Sequence, residues 1–146
     1  MKHITVLLML GLVAALFSSG SAFAQAQSED HLFVSSTFKT TMPEGGRLAE
    51  RDSLMEIYNK QVIEKNPLIL SQRVMQHFYG HDNRDMVFVT EYKSWADIDA
   101  ADTINTELFE KYWADQPSRR QYNRMLNKYF AGHGDEIYSE KTKLRK

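Results

Sequence analysis

The pattern of apolar and polar positions divides the chain into seven predicted elements. Short runs rich in β-branched and aromatic residues, bounded by Gly, Pro, Asn and Asp, are typical of strands, whereas apolar residues at offsets of three, four, seven and eight are typical of amphipathic helices. The clearest stripe of apolar residues at helical spacing runs from Tyr122 to Phe130. Ala131 and Gly132 are predicted to end this third helix. The predicted strands are 31–41, 68–79, 85–92 and 133–141, and the predicted helices are 47–65, 95–113 and the stripe beginning at Tyr122.

Local signals set the boundaries of these elements. Asn66 precedes Pro67 and is therefore pushed out of the helical region, which ends the first helix. Ser94 lies three residues before Asp97, a spacing similar to the capping box at a helix start. Residues 116–118, Gln-Pro-Ser, are expected to interrupt the helices, and residues 80–84 are expected to form the loop of a β-hairpin. The resulting order is strand, helix, strand, strand, helix, helix, strand.

This order predicts an α+β domain over residues 31–141, with a four-stranded antiparallel sheet and its helices on one face. A sheet with one face in water should alternate apolar and polar residues. Segments 32–34, 68–70 and 86–89 are instead apolar on both faces. Since the helices cover one face only, a second copy of the chain is expected to cover the other, and we predict a homodimer.

A five-residue hairpin loop would pair Arg73 with Glu91 and His77 with Val87 across the second and third strands. Residues 73, 75, 77 and 79 then share one face with 87, 89 and 91. The more apolar even-numbered face is expected to lie under the helices. A loop of even length would exchange these pairings, so the face assignment depends on the loop.

The N-terminal segment has the features of an export signal. Lys2 precedes an apolar run over residues 4–17, which is too short to span a bilayer. Small residues around Phe23 predict cleavage after Ala24 or, because the pattern repeats, after Ala26. We therefore expect a signal peptide at residues 1–24, no stable membrane anchor after cleavage, and export to the periplasm or, second, to the medium. A polar leader at 25–30 and a basic tail at 142–146 flank the domain.

Composition excludes several classes of function. The 146-residue chain contains no cysteine, which excludes disulfides, thiolate metal sites and cysteine nucleophiles. Its formal net charge of −1 becomes −2 without the signal segment, which argues against nucleic-acid binding. The chain also lacks the motifs of a nucleophile elbow, a phosphate-binding loop and a dinucleotide site. No cofactor is therefore predicted.

Three segments read like family signatures: residues 77–82 (His-Phe-Tyr-Gly-His-Asp), 90–92 (Thr-Glu-Tyr) and 132–138 (Gly-His-Gly-Asp-Glu-Ile-Tyr). Together with the strand order, the extra helix and the doubly apolar sheet, they resemble the dimeric α/β-barrel superfamily, whose subunits are ferredoxin-like. Its members include small monooxygenases of antibiotic biosynthesis, muconolactone-isomerase-like proteins, haem-degrading and chlorite-decomposing enzymes, and proteins without a known reaction. The resemblance covers residues 31–141 and implies the fold and the dimer rather than one reaction.

The polar cluster Arg73, His77, Tyr79 and Glu91 is the main candidate site. A histidine beside a carboxylate in a partly apolar cavity is suited to general acid–base catalysis, so His77 and Glu91 are the candidate catalytic residues. Arg73 and Tyr79 would orient a substrate. The alternative is an ion pair and a hydrogen-bonded histidine at the dimer interface, without catalysis. His31 is expected at the edge of the first strand.

An aromatic group, Trp95, Tyr112 and Trp113, is the second candidate, as the lining of a ligand pocket between the second helix and the sheet. Aromatic residues at helical spacing also occur in ordinary cores, and this alternative stays open. The possible metal donors have no diagnostic spacing, so no metal ligand is predicted. These donors are His77, His81, Asp82, His133 and Asp135.

Three functions remain compatible with the sequence. The first is an exported dimeric protein that binds a small, largely apolar molecule. The second is a cofactor-independent monooxygenase- or isomerase-like enzyme that uses His77. The third is an interaction module whose dimer is the functional unit. The enzyme requires His77 and Glu91 inside a cavity, the binding protein requires a cavity without them, and the module requires an exposed apolar patch.

Overall fold

A computed structural model describes residues 30–80 and 83–146. The predicted order of elements is confirmed, and two short 3-10 turns are added to it. The predicted signal peptide, residues 1–24, and most of the polar leader lie outside the described residues. The elements are β1 (Leu32–Thr40), α1 (Leu48–Gln61), β2 (Ser71–Gln76), β3 (Asp85–Tyr92), α2 (Trp95–Tyr112), α3 (Gln116–Asn127) and β4 (Phe130–Ser139), with the 3-10 turns at Ile63–Lys65 and Thr142–Leu144.

The four strands form one antiparallel sheet in the order β2-β3-β1-β4. The first and third strands along the chain occupy the centre, and α1 connects β1 with β2, two strands that are not neighbours in the sheet. This is the predicted α+β arrangement of the ferredoxin-like fold. Among the described residues, no helix is both long and apolar enough to cross a membrane.

The end of α3 differs from the sequence prediction. The helix stops at Asn127, and β4 already begins at Phe130. The backbone N–H of Thr41 donates to the carbonyl of Tyr129 at 2.8 Å, which attaches this segment to the end of β1. Gly132, at φ +153°, follows a β-bulge and does not terminate a helix. Tyr129 is fully buried, so the apolar stripe correctly predicted a core residue there. The stripe nevertheless continues beyond the end of the helix at Asn127.

Pro117 begins α3 rather than interrupting the helices. It lies in the first helical turn, where a proline ring costs no backbone hydrogen bond. Asp115 caps this turn, because its Oδ1 accepts a hydrogen bond from the backbone N–H of Ser118 at 2.8 Å. At the start of α2, the predicted cap is confirmed: the N–H of Asp97 donates to Ser94 Oγ at 3.3 Å.

The register between β2 and β3 corrects the predicted hairpin. Ser71 lies opposite Glu91, and Arg73 lies opposite Val89, so the predicted Arg73–Glu91 pair is wrong by two residues. The hairpin loop is longer than expected because β2 ends at Gln76, before the aromatic residues that follow it. A shift of two residues leaves every side chain on its predicted face. The even-numbered face of β2 and β3 therefore lies under the helices, as predicted.

The core lies between the helices and this face of the sheet. Its buried cluster consists of Leu54, Val62, Trp113, Tyr122 and Tyr129. The face toward the helices is called the inner face below. The opposite one, the outer face, carries Ser71, Arg73 and Met75 of β2, Asp85, Val87, Val89 and Glu91 of β3, Phe33, Ser35, Thr37 and Lys39 of β1, and Gly134, Glu136 and Tyr138 of β4.

Candidate functional site

An apolar cavity of about 600 Å³ separates the inner face of the sheet from α1 and α3. Aromatic rings form much of its wall: Phe38, Phe88 and Phe130 on the sheet side, and Tyr58 and Tyr122 on the helix side. The remaining apolar wall is provided by Met55, Ile63, Val74 and Leu126, and the polar wall by Ser36, Glu56, Asn59, Gln72, Thr90 and Asn127.

The sheet side of the cavity is ordered by contacts between its rings. Phe38 meets Phe88 at a centroid distance of 5.2 Å and Phe130 at 5.4 Å, both edge to face, an arrangement that aromatic pairs favour. The imidazole of His133 stacks on Phe38 at 4.6 Å. The inner face of the strands thus holds its rings in a preformed arrangement.

The polar groups of the wall are largely bonded to protein. Gln72 Nε2 donates to Thr90 Oγ1 at 2.9 Å, and the hydroxyl of Tyr122 donates to the carbonyl of Leu54 at 2.9 Å. Glu56 accepts a hydrogen bond from Lys60 at 2.8 Å, which lowers the pKa of that carboxyl. The cavity therefore presents mainly apolar surface to an occupant.

The two tyrosines of the wall are poor acids. Burial raises the pKa of Tyr122, and burial, followed by the charge of Asp102, raises the pKa of Tyr58. Both phenols are neutral at physiological pH and act as hydrogen-bonding groups rather than as bases. Among the described residues that line the cavity, there is neither a histidine nor an aspartate.

The predicted cluster around His77 and Glu91 is not assembled. His77 follows the last residue of β2, and its N–H donates to the carbonyl of Asp85, at the opposite end of β3 from Glu91. Six strand residues separate the two positions by roughly 20 Å. The ring of His77 contacts the carbonyl of Tyr79, whose own side chain is 91% exposed. Within one chain, His77 and Glu91 therefore cannot act on the same atom.

Glu91 has partners that the sequence interpretation missed. Its Oε1 lies 2.6 Å from Nδ1 of His31, and its Oε2 accepts a hydrogen bond from Ser71 at 2.6 Å. These two hydrogen bonds lower the pKa of Glu91. His31 therefore belongs to an outer-face cluster. Its link to Glu91 follows from the β1–β3 register, in which Phe33 lies opposite Glu91.

The second candidate group does not line the cavity either. Trp113 is buried in the core against Tyr122 and Phe109, with centroid distances of 4.3 and 4.6 Å. Trp95 and Tyr112 are exposed by 63% and 49%. None of these three residues lines this cavity, so their role in a ligand pocket stays a prediction, and Trp113 packs in the core.

The possible metal donors are dispersed in the described part of the chain. His133 Nε2 lies 3.3 Å from Asp135 Oδ2, and both side chains are exposed. Within residues 30–80 and 83–146, no three histidine or carboxylate side chains are arranged to hold a metal ion. His81 and Asp82 lie outside this description.

Comparison with known proteins identifies the fold but not a sequence family. No protein-family model and no curated protein matches the chain. A variant of SnoaB from Streptomyces nogalater, a cofactor-independent oxygenase, superposes with a TM-score of 0.51 at 12% identity, covering 82% of this chain and all of that one. A dimeric ferredoxin-like protein of unknown function from Thermobifida fusca YX has a TM-score of 0.50 at 9% identity, covering 77% and 93%.

These structural neighbours confirm the ferredoxin-like fold that the sequence resemblance implied. At such low identity, the likeness concerns the fold alone. It is compatible both with a protein that has no established reaction and with an oxygenase-like enzyme. The site must therefore decide between them.

Proposed function

We propose that this protein binds a small, largely apolar, ring-containing molecule in the cavity between the sheet and the helices. The aromatic cavity itself carries this proposal. Its volume of about 600 Å³ falls within the range of small-molecule sites, and its wall combines apolar surface with few polar groups. The rings around Phe38 offer edges and faces to an aromatic ligand.

Binding is favoured over catalysis because the candidate acid–base residues lie elsewhere. His77 contacts the Tyr79 carbonyl beyond the end of β2, and Glu91 lies on the outer face. A cofactor-independent oxygenase or isomerase in this cavity would have to use the two neutral tyrosines or the paired Glu56. Recovery of an added ligand chemically unchanged after incubation in air supports binding, whereas its conversion supports the enzyme.

The biological unit in this proposal is an exported homodimer. The outer face leaves Met75 and Tyr138 about half exposed, beside the partly exposed Val87 and Val89, and a second copy would cover them. The Thermobifida fusca protein of similar fold is described as dimeric. Export rests on the sequence of residues 1–24, with the periplasm as the proposed compartment.

The test uses two serines. Ser36 of β1 lines the cavity, whereas Ser53 is exposed on α1 and does not line it. We expect the uncharged fluorescent probe N-phenyl-1-naphthylamine to bind the wild-type protein once per chain. Ser36→Phe places a ring in the cavity and should weaken this binding by about tenfold or more, since overpacking is unfavourable. Ser53→Phe is the matched control.

Equal loss of probe binding in both variants would contradict the cavity as the binding site. So would an unchanged affinity in Ser36→Phe. A second measurement is native mass spectrometry of the protein purified from the compartment to which it is exported. It gives the signal cleavage site, the subunit count and the mass of any bound ligand. A purified chain that retains all of residues 1–24 would contradict the proposed export signal.

A further inference from the structure

The register of the sheet aligns the outer-face residues in rows that cross all four strands. One row contains Arg73, Val89, Ser35 and Glu136, from β2 to β4. Its two ends therefore carry opposite charges on opposite edges of the sheet. The flanking rows are Met75–Val87–Thr37–Gly134 and Ser71–Glu91–Phe33–Tyr138.

The other charged groups of the outer face are already paired within the chain. Lys39 forms an ion pair with Asp85, and Glu91 is held by Ser71 and His31. Within the described residues, no hydrogen bond or ion pair of the Arg73 side chain is found. In the same part of the chain, the one hydrogen bond of the Glu136 carboxylate is donated by the hydroxyl of Tyr138, two positions further along β4. Among the outer-face residues of the four described strands, Arg73 and Glu136 are thus the two charges that remain for another molecule.

We propose that two copies pack outer face to outer face about a two-fold axis parallel to the strands, with Arg73 of each copy paired with the partner's Glu136. This inference rests on the homodimer of the proposed function and specifies its contacts. When this axis runs midway between the central strands β3 and β1, β2 of one copy lies over β4 of its partner. Each row of one copy then lies over the same row of the partner. Packed sheets commonly keep their strand directions within about 30° of each other, as this axis requires.

The same axis also makes the flanking rows complementary in size. The half-exposed Met75 faces the partner's Gly134, which has no side chain, and the small Ser71 faces the partner's Tyr138. An axis perpendicular to the strands would instead place β2 on β2 and β4 on β4, so that like charges approach each other. Juxtaposed like charges select against that arrangement.

Charge reversal tests the pairing. Arg73→Glu and Glu136→Arg each create two like-charge contacts in the dimer, and each should raise the dimer dissociation constant by about tenfold or more. The double variant Arg73→Glu/Glu136→Arg restores both ion pairs and should return the constant to within about threefold of the wild type. Sedimentation equilibrium gives the constants, and circular dichroism verifies that each variant is folded. Arg124→Glu, an equal charge change on the exposed side of α3, is the control.

The outcomes separate this pairing from the dimer itself. A wild-type dimer that persists in both single variants, or that is not restored in the double variant, overturns the pairing while the homodimer stands. A monomeric wild type overturns the homodimer and the pairing together. Loss of the dimer in both single variants with recovery in the double variant supports both, provided that Arg124→Glu remains dimeric.

Discussion

The two faces of the sheet resemble each other in sequence and differ in their surroundings. On the inner face, Phe38 and Phe88 contact each other beneath the helices and border a cavity. On the outer face, the apolar residues of the same strands have no layer over them in the described chain. Consecutive apolar residues in the strands thus show that both faces need a cover, but not that one cover is a helix layer and the other a second molecule.

The faces also differ in how their polar groups are used. Polar groups near the cavity are bonded locally, as between Gln72 and Thr90. The outer face carries full charges, of which Arg73 and Glu136 are not paired with each other inside the chain. This contrast suits a ligand-binding face on one side and a specific protein interface on the other, since charge complementarity gives an interface its specificity.

The strongest test of this contrast replaces two phenylalanines of β1. Phe38→Ala removes the ring that holds Phe88 and Phe130 and should lower the free energy of unfolding by about 3 kcal/mol. Phe33→Ala, on the outer face, should cost about 1 kcal/mol in the monomer. Urea denaturation at several protein concentrations measures both.

The dependence on concentration distinguishes the two faces further. The cost of Phe38→Ala should be the same at all concentrations, whereas that of Phe33→Ala should increase where the dimer is populated. Equal, concentration-independent costs would contradict the assignment of the outer face to an interface.

A smaller effect is expected from two tyrosine hydroxyls. Tyr122→Phe removes the hydrogen bond to the Leu54 carbonyl beside the cavity and should lower the free energy of unfolding by about 1 kcal/mol. Tyr138→Phe removes an exposed hydroxyl on the outer face, and a change within about 0.5 kcal/mol is expected. Thermal unfolding of both variants measures the difference, and an equal loss in each would show that the Tyr122 hydroxyl has no special role.

The sequence predicted the fold well because its elements follow from local patterns. Strand β3 has the predicted bounds, and Ser94 caps α2 as expected. The assignment of strand faces also survived, since an error of two residues in the register preserves the side on which each residue lies.

The candidate site could not be predicted in the same way, because it depends on distances between strands. The β2–β3 loop is longer than the glycine signal at Gly80 indicated, which moves His77 from the predicted position opposite Val87 to one opposite Asp85, farther from Glu91. The partnership of Glu91 with His31 joins residues sixty positions apart. The cavity itself results from how far the helices lie from the sheet, a quantity that no periodicity encodes.

The smallest predicted effect concerns the pH dependence of the outer face. Hydrogen bonds from Ser71 and His31 hold the pKa of Glu91 below the ordinary glutamate value of 4.5. Since a lowered pKa in the folded state favours the ionised form, Glu91 contributes stability above pH 4.5, and this contribution is lost as the pH falls through the folded pKa. Ser71→Ala weakens the effect and should flatten the acid limb of the stability curve by at most about 1 kcal/mol.

Ser35→Ala is the matched control, because Ser35 lies on the same face but opposite Val89 rather than Glu91. Denaturant unfolding measured from pH 3 to pH 7 should show a shallower acid limb for Ser71→Ala only. If Ser35→Ala flattens the curve equally, the acid sensitivity belongs to the outer face as a whole, for example through its dimer contacts. A difference confined to Ser71→Ala assigns it to the Glu91 cluster, so the outer face would then combine an internally satisfied carboxylate on a central strand with charges left for a partner on the two edge strands.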